Sequence, residues 1–248
     1  MITKADAVVA MTVTARERLA AGYAVDMTKV CIIAHGAPAL QTTMAEPAFR
    51  TGQFTVLTWG LLGPGKGIEW GIEAMAMLRD LQPMPRYVVA GQTHPKVLLD
   101  EGEAYRDRLC EQVRQAELGS WIRFDGYYRT TSALASLVRS ADVVLLPYDS
   151  TEQVTSGVLI EAVAAGKPVV ATQFPHAREV LAGGAGLLVP HRDPAAIAAA
   201  LRSVIKRGDV MTRMAAAATA TAPQLLWPVI AHQYRELADR LITTSVAA

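Results

Sequence analysis

One pattern constrains this chain more than any other: short, unbroken apolar runs alternate with stretches of helical period and are joined by tight turns. Residues 54–59, 86–90, 121–124, 143–148, 168–173 and 186–189 read as strands, with helices at 67–81, 101–117, 132–140, 156–165 and 176–181 between them. Runs that are apolar at every position, rather than at every second one, belong to strands buried on both faces. Such strands, linked by helices and short connections, require right-handed crossovers. They predict an α/β fold whose main domain, 54–222, is a doubly wound, mostly parallel sheet. Pro194, just after Asp193, opens a further amphipathic helix carrying Ile197, Leu201, Val204 and Ile205. Helical pieces at 210–220 and 227–242 follow. Ahead of the domain, a strand at 7–11, a helix at 15–23 capped by Thr14 and a strand at 29–34 make one strand-helix-strand unit within 1–36. The stretch 37–53 has no period and reads as a linker, and 223–248 reads as a terminal helix and tail.

Composition removes several classes of function. With 51% apolar and 19% charged residues over 248 positions, the chain has ample material for a core and fits one large domain, or one domain plus a fragment. Twenty-four Lys and Arg against 23 Asp and Glu leave a net charge of +1, so no global field recruits nucleic acid or an anionic membrane. Any anion must be held locally. Cys31 and Cys110 lack zinc-site or CxxC spacing, which excludes a disulfide framework and a cysteine metal centre. Asp6, Arg16, Glu17 and Arg18 interrupt what would be the apolar part of a signal peptide, and no apolar run reaches the ~18 residues of a span. The expected location is the cytoplasm, with a peripheral position at the inner membrane face as the alternative.

Sheets of this kind bind ligands beyond the carboxyl ends of their strands, so the loops there carry the chemistry. The first is Gly60-Leu61-Leu62-Gly63-Pro64-Gly65-Lys66-Gly67, between a strand and a helix. Glycines let backbone N–H groups approach an anion, a helix start adds partial positive charge, and Lys66 adds a full one. The loop matches neither the P-loop nor the dinucleotide fingerprint, and a plain turn with a solvent-facing lysine has the same composition. In the second, polar residues from Asp149 to Thr155 lead into a helix start at Ser156-Gly157-Val158, which serves either as an internal cap or as an anion site. Glu161, a carboxylate within that apolar helix, needs hydrogen-bond donors, which sugar hydroxyls or a backbone amide would supply. A third loop holds His94, without the partners of a catalytic triad and equally at home as a structural residue. In the fourth, Tyr127 and Tyr128 follow a strand and could flank a planar base or simply pack.

On these residues the chain resembles the nucleotide-sugar-binding half of the family 4 glycosyltransferases, retaining enzymes built as two Rossmann-like domains, the GT-B architecture. His35-Gly36 resembles the end of that family's N-terminal domain. Residues 60–67 resemble its Gly-Arg-x-x-x-x-Lys-Gly donor loop, and 153–172 its paired-glutamate helix with the trailing Gly-x-Pro-Val-Val-Ala-Thr. The helix at 227–242 is similar to the terminal helix that crosses back to the first domain. The resemblance implies a hexosyltransferase-like enzyme that moves a sugar, with retention, from a nucleoside-diphosphate sugar to an acceptor that the sequence does not name. It implies that Lys66 and the backbone at Thr155, Ser156, Gly157 and Val158 hold the diphosphate, and that Glu161 binds the ribose. Gly60, Gly63 and Gly65 would shape the donor loop, with His94, Tyr127 and Tyr128 around the donor. Catalysis would then fall to Lys66, Gln153 and Glu161, with no metal and no other cofactor.

Two positions depart from the family pattern: Leu61 stands where an arginine is common, and Gln153 where the first glutamate would be. A glutamine hydrogen-bonds hydroxyls but offers no charge to a developing oxocarbenium ion. Both departures read as traits of a bacterial subgroup. Only the last strand-helix-strand unit of an acceptor-binding domain is present, so the expectation is a donor-binding domain with a remnant, incomplete alone for turnover. Its partners are then the donor, an acceptor (glycan, lipid or small molecule) and a missing domain or neighbouring polypeptide, with no nucleic acid. The alternative is a non-catalytic nucleotide-sugar-binding or partner subunit. An isomerase on the same scaffold lacks its acid/base carboxylate pair.

Overall fold

The computed structural model describes residues 4–39 and 52–246. Its body is a six-stranded sheet of β3 (Thr55–Trp59), β4 (Arg86–Ala90), β5 (Ile122–Asp125), β6 (Val143–Leu146), β7 (Val169–Thr172) and β8 (Gly186–Val189), all parallel, in the order β5-β4-β3-β6-β7-β8. The first strand of this sheet in chain order, β3, therefore lies centrally. The chain winds outward through β4 and β5, then returns to place β6 on the other side of β3. Every residue of β3, β6 and β7 is buried, as their unbroken apolar runs require.

Helices cover both faces. One core joins the sheet to α2 (Ile68–Ala76), α4 (Ala104–Gln115) and α8 (Pro194–Lys206) through Ile72, Met75, Leu109, Ile197 and Leu201. The other joins it to α5 (Thr131–Ser140), α6 (Gly157–Ala164) and α7 (Pro175–Val180) through Leu137, Val138, Leu159, Ile160 and Ala177. A short helix α3 (Pro95–Glu101) precedes α4, while α9 (Gly208–Thr221) and α10 (Trp227–Val246) complete the chain.

Several boundaries differ from the sequence reading. The helix expected at 101–117 is α4, which starts only at Ala104, and a helix not expected from the sequence precedes it: Pro95 opens α3, and Gly102, at φ +63°, ends it. Helix α2 stops at Ala76 rather than at residue 81.

The leading unit is a parallel pair, β1 (Val8–Ala10) and β2 (Val30–Ile32), around α1 (Val13–Gly22). The cap of α1 is Thr12, not Thr14: the Thr12 Oγ1 accepts from the Ala15 N–H at 3.0 Å. Thr14 instead lies in the first turn, where its hydroxyl and N–H both donate to Glu179 of α7. The Val13 N–H donates to the same carboxylate at 2.9 Å, and Arg18 pairs with Glu152 at 2.7 Å. The small unit is thus tied to the large sheet by polar contacts on α7 and the loop before α6. Of the linker expected at 37–53, residues 40–51 lie outside the described residues. Ala37 bridges to the start of α10: its N–H donates to the Leu225 carbonyl at 2.7 Å, and its carbonyl accepts from Trp227 at 2.9 Å.

Candidate functional site

Where β3 and β6 lie side by side, their following chains depart in opposite directions, and a crevice opens at their carboxyl ends. The loop 60–67 leaves β3 and the loop 147–156 leaves β6. They are held together by the Asp149 N–H, which donates to the Gly65 carbonyl at 3.0 Å, and by Trp70, whose Nε1 donates to Asp149 at 2.7 Å. Gly67 has φ +64°, and a Cβ there would overlap the Pro147 carbonyl oxygen, so only glycine lets the loops close so tightly.

Lys66 is half-buried, with its Nζ 4.6 Å from the ring centroid of Tyr148. Burial lowers its pKa, so an anion that settled beside it would recover part of that penalty. Tyr148 is itself buried and stacks on Phe174 at 5.2 Å; burial pushes its phenol up to about 12, which keeps it neutral. The lysine therefore rests on a cation–π platform rather than on a carboxylate.

Helix α6 begins beside that platform. Its cap, Ser156, accepts from the Leu159 N–H at 3.3 Å, while the Ser156 N–H donates to Nδ1 of His176 at 2.8 Å. The cap reading holds, and the N–H groups of Gly157 and Val158 have no acceptor among the described residues, which leaves them open to an anion. Val158 faces the 60–67 loop: a Cβ on Gly60 would stand 3.4 Å from its Cγ2. One turn along, Glu161 accepts a single hydrogen bond, from Nε1 of Trp59 at 3.2 Å. Its remaining lone pairs have no donor among the described residues.

Next to Trp59 lies a cavity of about 180 Å³ lined by Gly60, Leu61, Gly91, Tyr127, Tyr128 and Arg129 among others. Tyr127 and Tyr128 are 78% and 86% exposed, so they stand at its mouth rather than in the core. Arg129 is anchored to the buried Asp125.

Other expected site residues make hydrogen bonds within the protein itself. The Gly60 N–H pairs with the Ala90 carbonyl at 3.0 Å, and the Lys66 N–H with the Gly63 carbonyl at 3.2 Å, so the glycine loop is in part a scaffold. His94 is exposed, and its Nδ1 accepts from the Lys96 N–H to cap α3. Gln153 turns inward on its own loop, its Nε2 donating to the Thr155 carbonyl at 3.1 Å. Three neighbours were not among the expected site residues: Trp59, Tyr148 and His176. Trp59 and Tyr148 carried a signal, because a buried indole or phenol at a strand end needs a polar partner. His176 reaches Ser156 only through the fold. Burial, aided by His35 and opposed by Glu179, pushes its pKa down to about 4, so it is a neutral acceptor.

A doubly wound parallel sheet with a polar crevice of this construction places the chain in the Rossmann-like class. Residues 41–221 match the family model described as glycosyl transferases group 1, and the chain belongs to that family. Among curated proteins it is 29% identical to the glycogen synthase of Mycobacterium tuberculosis, over 88% of this chain and 50% of that protein. It is 29% identical to the D-inositol 3-phosphate glycosyltransferase of Kineococcus radiotolerans, over 100% of this chain and 60% of that one. A phosphatidyl-myo-inositol mannosyltransferase of Mycobacterium leprae is 36% identical over 54% of this chain and 36% of its own. The chain thus spans about half the length of the curated relatives it matches. Two solved structures share the fold. The Anabaena protein Alr3699/HepE in complex with UDP has a TM-score of 0.82 at 20% identity, covering 95% of this chain and 64% of that one. The sucrose-phosphate synthase of Thermosynechococcus elongatus has 0.83 at 24% identity, covering 98% and 60%.

Proposed function

We propose that this chain is the donor-binding half of a retaining glycosyltransferase, holding a nucleoside-diphosphate sugar in the crevice between the β3 and β6 loops. The observation that carries the reading is the start of α6. Two amides without an acceptor among the described residues, at the positive end of the helix, face a crevice that also holds a half-buried ammonium with no carboxylate partner among those residues. Its relatives named above are sugar transferases, and one fold neighbour was solved with UDP.

In this reading the diphosphate lies on the Gly157 and Val158 amides with Lys66 opposite. As the anomeric carbon–oxygen bond breaks, these donors neutralise the charge on the departing diphosphate, and no metal is needed. Glu161, already fixed by Trp59, accepts from the ribose hydroxyls. The base enters the cavity beside Trp59, at Tyr127 and Tyr128. The acceptor, a glycan, lipid or small molecule, is bound by a domain beyond these 248 residues, on the same polypeptide or on a second one. In this reading the chain works in the cytoplasm or at the inner face of a membrane. Among the described residues no helix is long and apolar enough to cross a membrane.

Calorimetric titration with UDP-, GDP- and ADP-glucose tests the reading. One of them should bind, and Lys66→Ala should weaken it by about tenfold or more, the loss of a charged contact. No binding at millimolar ligand, or affinity indifferent to Lys66, rules it out. Gln153 favours a second reading, a binding subunit without turnover, because its amide is neutral and tied to Thr155. If Gln153→Glu creates activity in the presence of the acceptor-binding domain where the unaltered chain has none, that second reading is correct.

A further inference from the structure

His35 lies outside both the sheet and the loops already described, on the segment that leads from β2 toward Ala37. It nevertheless reaches the start of α6. A Cβ on Gly157 would stand 3.3 Å from Cε1 and 3.4 Å from Nε2 of His35, so the absence of a side chain at residue 157 allows the imidazole to sit directly on the helix's first turn. The other side of the ring packs on Trp227, the first residue of α10, with centroids 5.4 Å apart.

The ring is well placed and poorly satisfied. Its Nδ1 is buried without a hydrogen-bond partner, and among the described residues no hydrogen bond is made by Nε2 either. Buried polar groups almost always have a partner, and an orphaned N–H is rarer than an orphaned acceptor. The tautomer that fits keeps the lone pair on the buried Nδ1 and the proton on Nε2, at the edge that meets Gly157. His176 shows the contrast on the same turn: its Nδ1 is fully used by the Ser156 N–H. One histidine holds the turn together, while the other is positioned by packing alone and has an uncommitted donor.

We propose that His35 is a further diphosphate contact, donating from Nε2 to the oxygens that the Gly157 and Val158 amides also meet. The inference rests on the donor reading above. It adds a residue from the leading unit to a site otherwise built wholly from the large sheet, so that part of the donor affinity depends on how that unit is seated.

Calorimetry on the full chain separates the two ideas, with UDP, GDP, ADP and the matching nucleosides as probes. For the diphosphate that binds best, His35→Ala should weaken affinity about tenfold and His35→Gln, which keeps a donor, less. The matching nucleoside should bind all three proteins alike. If Lys66→Ala weakens diphosphate binding but His35→Ala does not, the His35 contact is wrong and the donor reading stands. If no diphosphate binds the unaltered chain, both fall. Equal losses for diphosphate and nucleoside would mean that His35 only supports the fold, and would also overturn the contact. Should His35→Ala fail to fold, imidazole nitrogen shifts of the unaltered chain decide: those of His35 must move on saturation with the diphosphate, and unmoved shifts refute the contact.

Discussion

Glu161 illustrates what a single residue discloses. A carboxylate set among Val158, Leu159, Ile160, Ala162 and Val163 could not be an ordinary core residue, and it proves to be half-buried with one hydrogen bond, from Trp59. The type and position of the group were readable. Its orienting indole was not, because Trp59 lies 102 residues away in sequence. Glu161→Gln should leave the fold intact, since the amide oxygen can still accept from Trp59. It should weaken nucleotide-sugar binding roughly fivefold to tenfold through loss of charge-assisted hydrogen bonds, which titration calorimetry would read. His94 shows the opposite case. Its loop position left a ligand contact and a structural role both open, and its ring caps α3 through the Lys96 N–H, a local use that the following proline foreshadows.

Among the elements, the two loops at the crevice are the most constrained. Gly67 carries φ +64° and has the Pro147 carbonyl where a side chain would begin. Gly67→Ala is therefore expected to destabilise the protein by at least about 2 kcal/mol and to separate the 60–67 loop from the β6 loop. Urea unfolding would measure the first effect and loss of nucleotide-sugar affinity the second; a variant of unchanged stability would contradict this account of the turn. The strands were legible because burial on both faces leaves an unbroken apolar record. Helix α3 was not read from the sequence although both of its signals were present, Pro95 to begin and Gly102 to end. The buried period of Tyr105, Leu109 and Val113 marks α4 alone, whereas α3, seven residues with none buried, leaves no apolar stripe to read.

At the scale of the whole molecule, the leading unit and the large sheet meet at Glu179. Burial pushes the pKa of this carboxylate up, but the Thr14 hydroxyl and the Thr14 and Val13 amides outweigh that and hold it below its ordinary value. Removing it leaves the first turn of α1 without an acceptor. Glu179→Ala should cost about 1–3 kcal/mol and speed hydrogen exchange across β1 and β2 more than across β6 and β7. Uniform acceleration would mean that the two parts unfold as one.

Acid should act at the same place. In the folded protein His176 accepts a proton only near pH 4, whereas the unfolded chain does so near 6.5. The unfolded state therefore binds more protons in that interval, so the histidine's contribution is complete above pH 6.5 and lost as pH falls toward 4, up to about 3 kcal/mol. The depressed Glu179 adds a second loss at lower pH, as its carboxylate protonates. Denaturation midpoints followed from pH 7 to 4 should fall for the native sequence and fall less for His176→Gln; parallel curves would exclude the histidine as the cause.

The sequence by itself determined the layering and the chemical inventory: strands apolar on both faces must lie inside a sheet with helices on each side, and glycines, a lysine and a lone glutamate must stand where those strands end. These follow from local period and from the cost of burying polar groups, both written in consecutive residues. Only the tertiary structure decided which groups meet. It seats Lys66 on Tyr148, points Trp59 at Glu161, gives the Ser156 amide to His176 and lays His35 against Gly157, because such partners are chosen by the parallel crossovers that bring distant strand ends to one edge, and no local period records them.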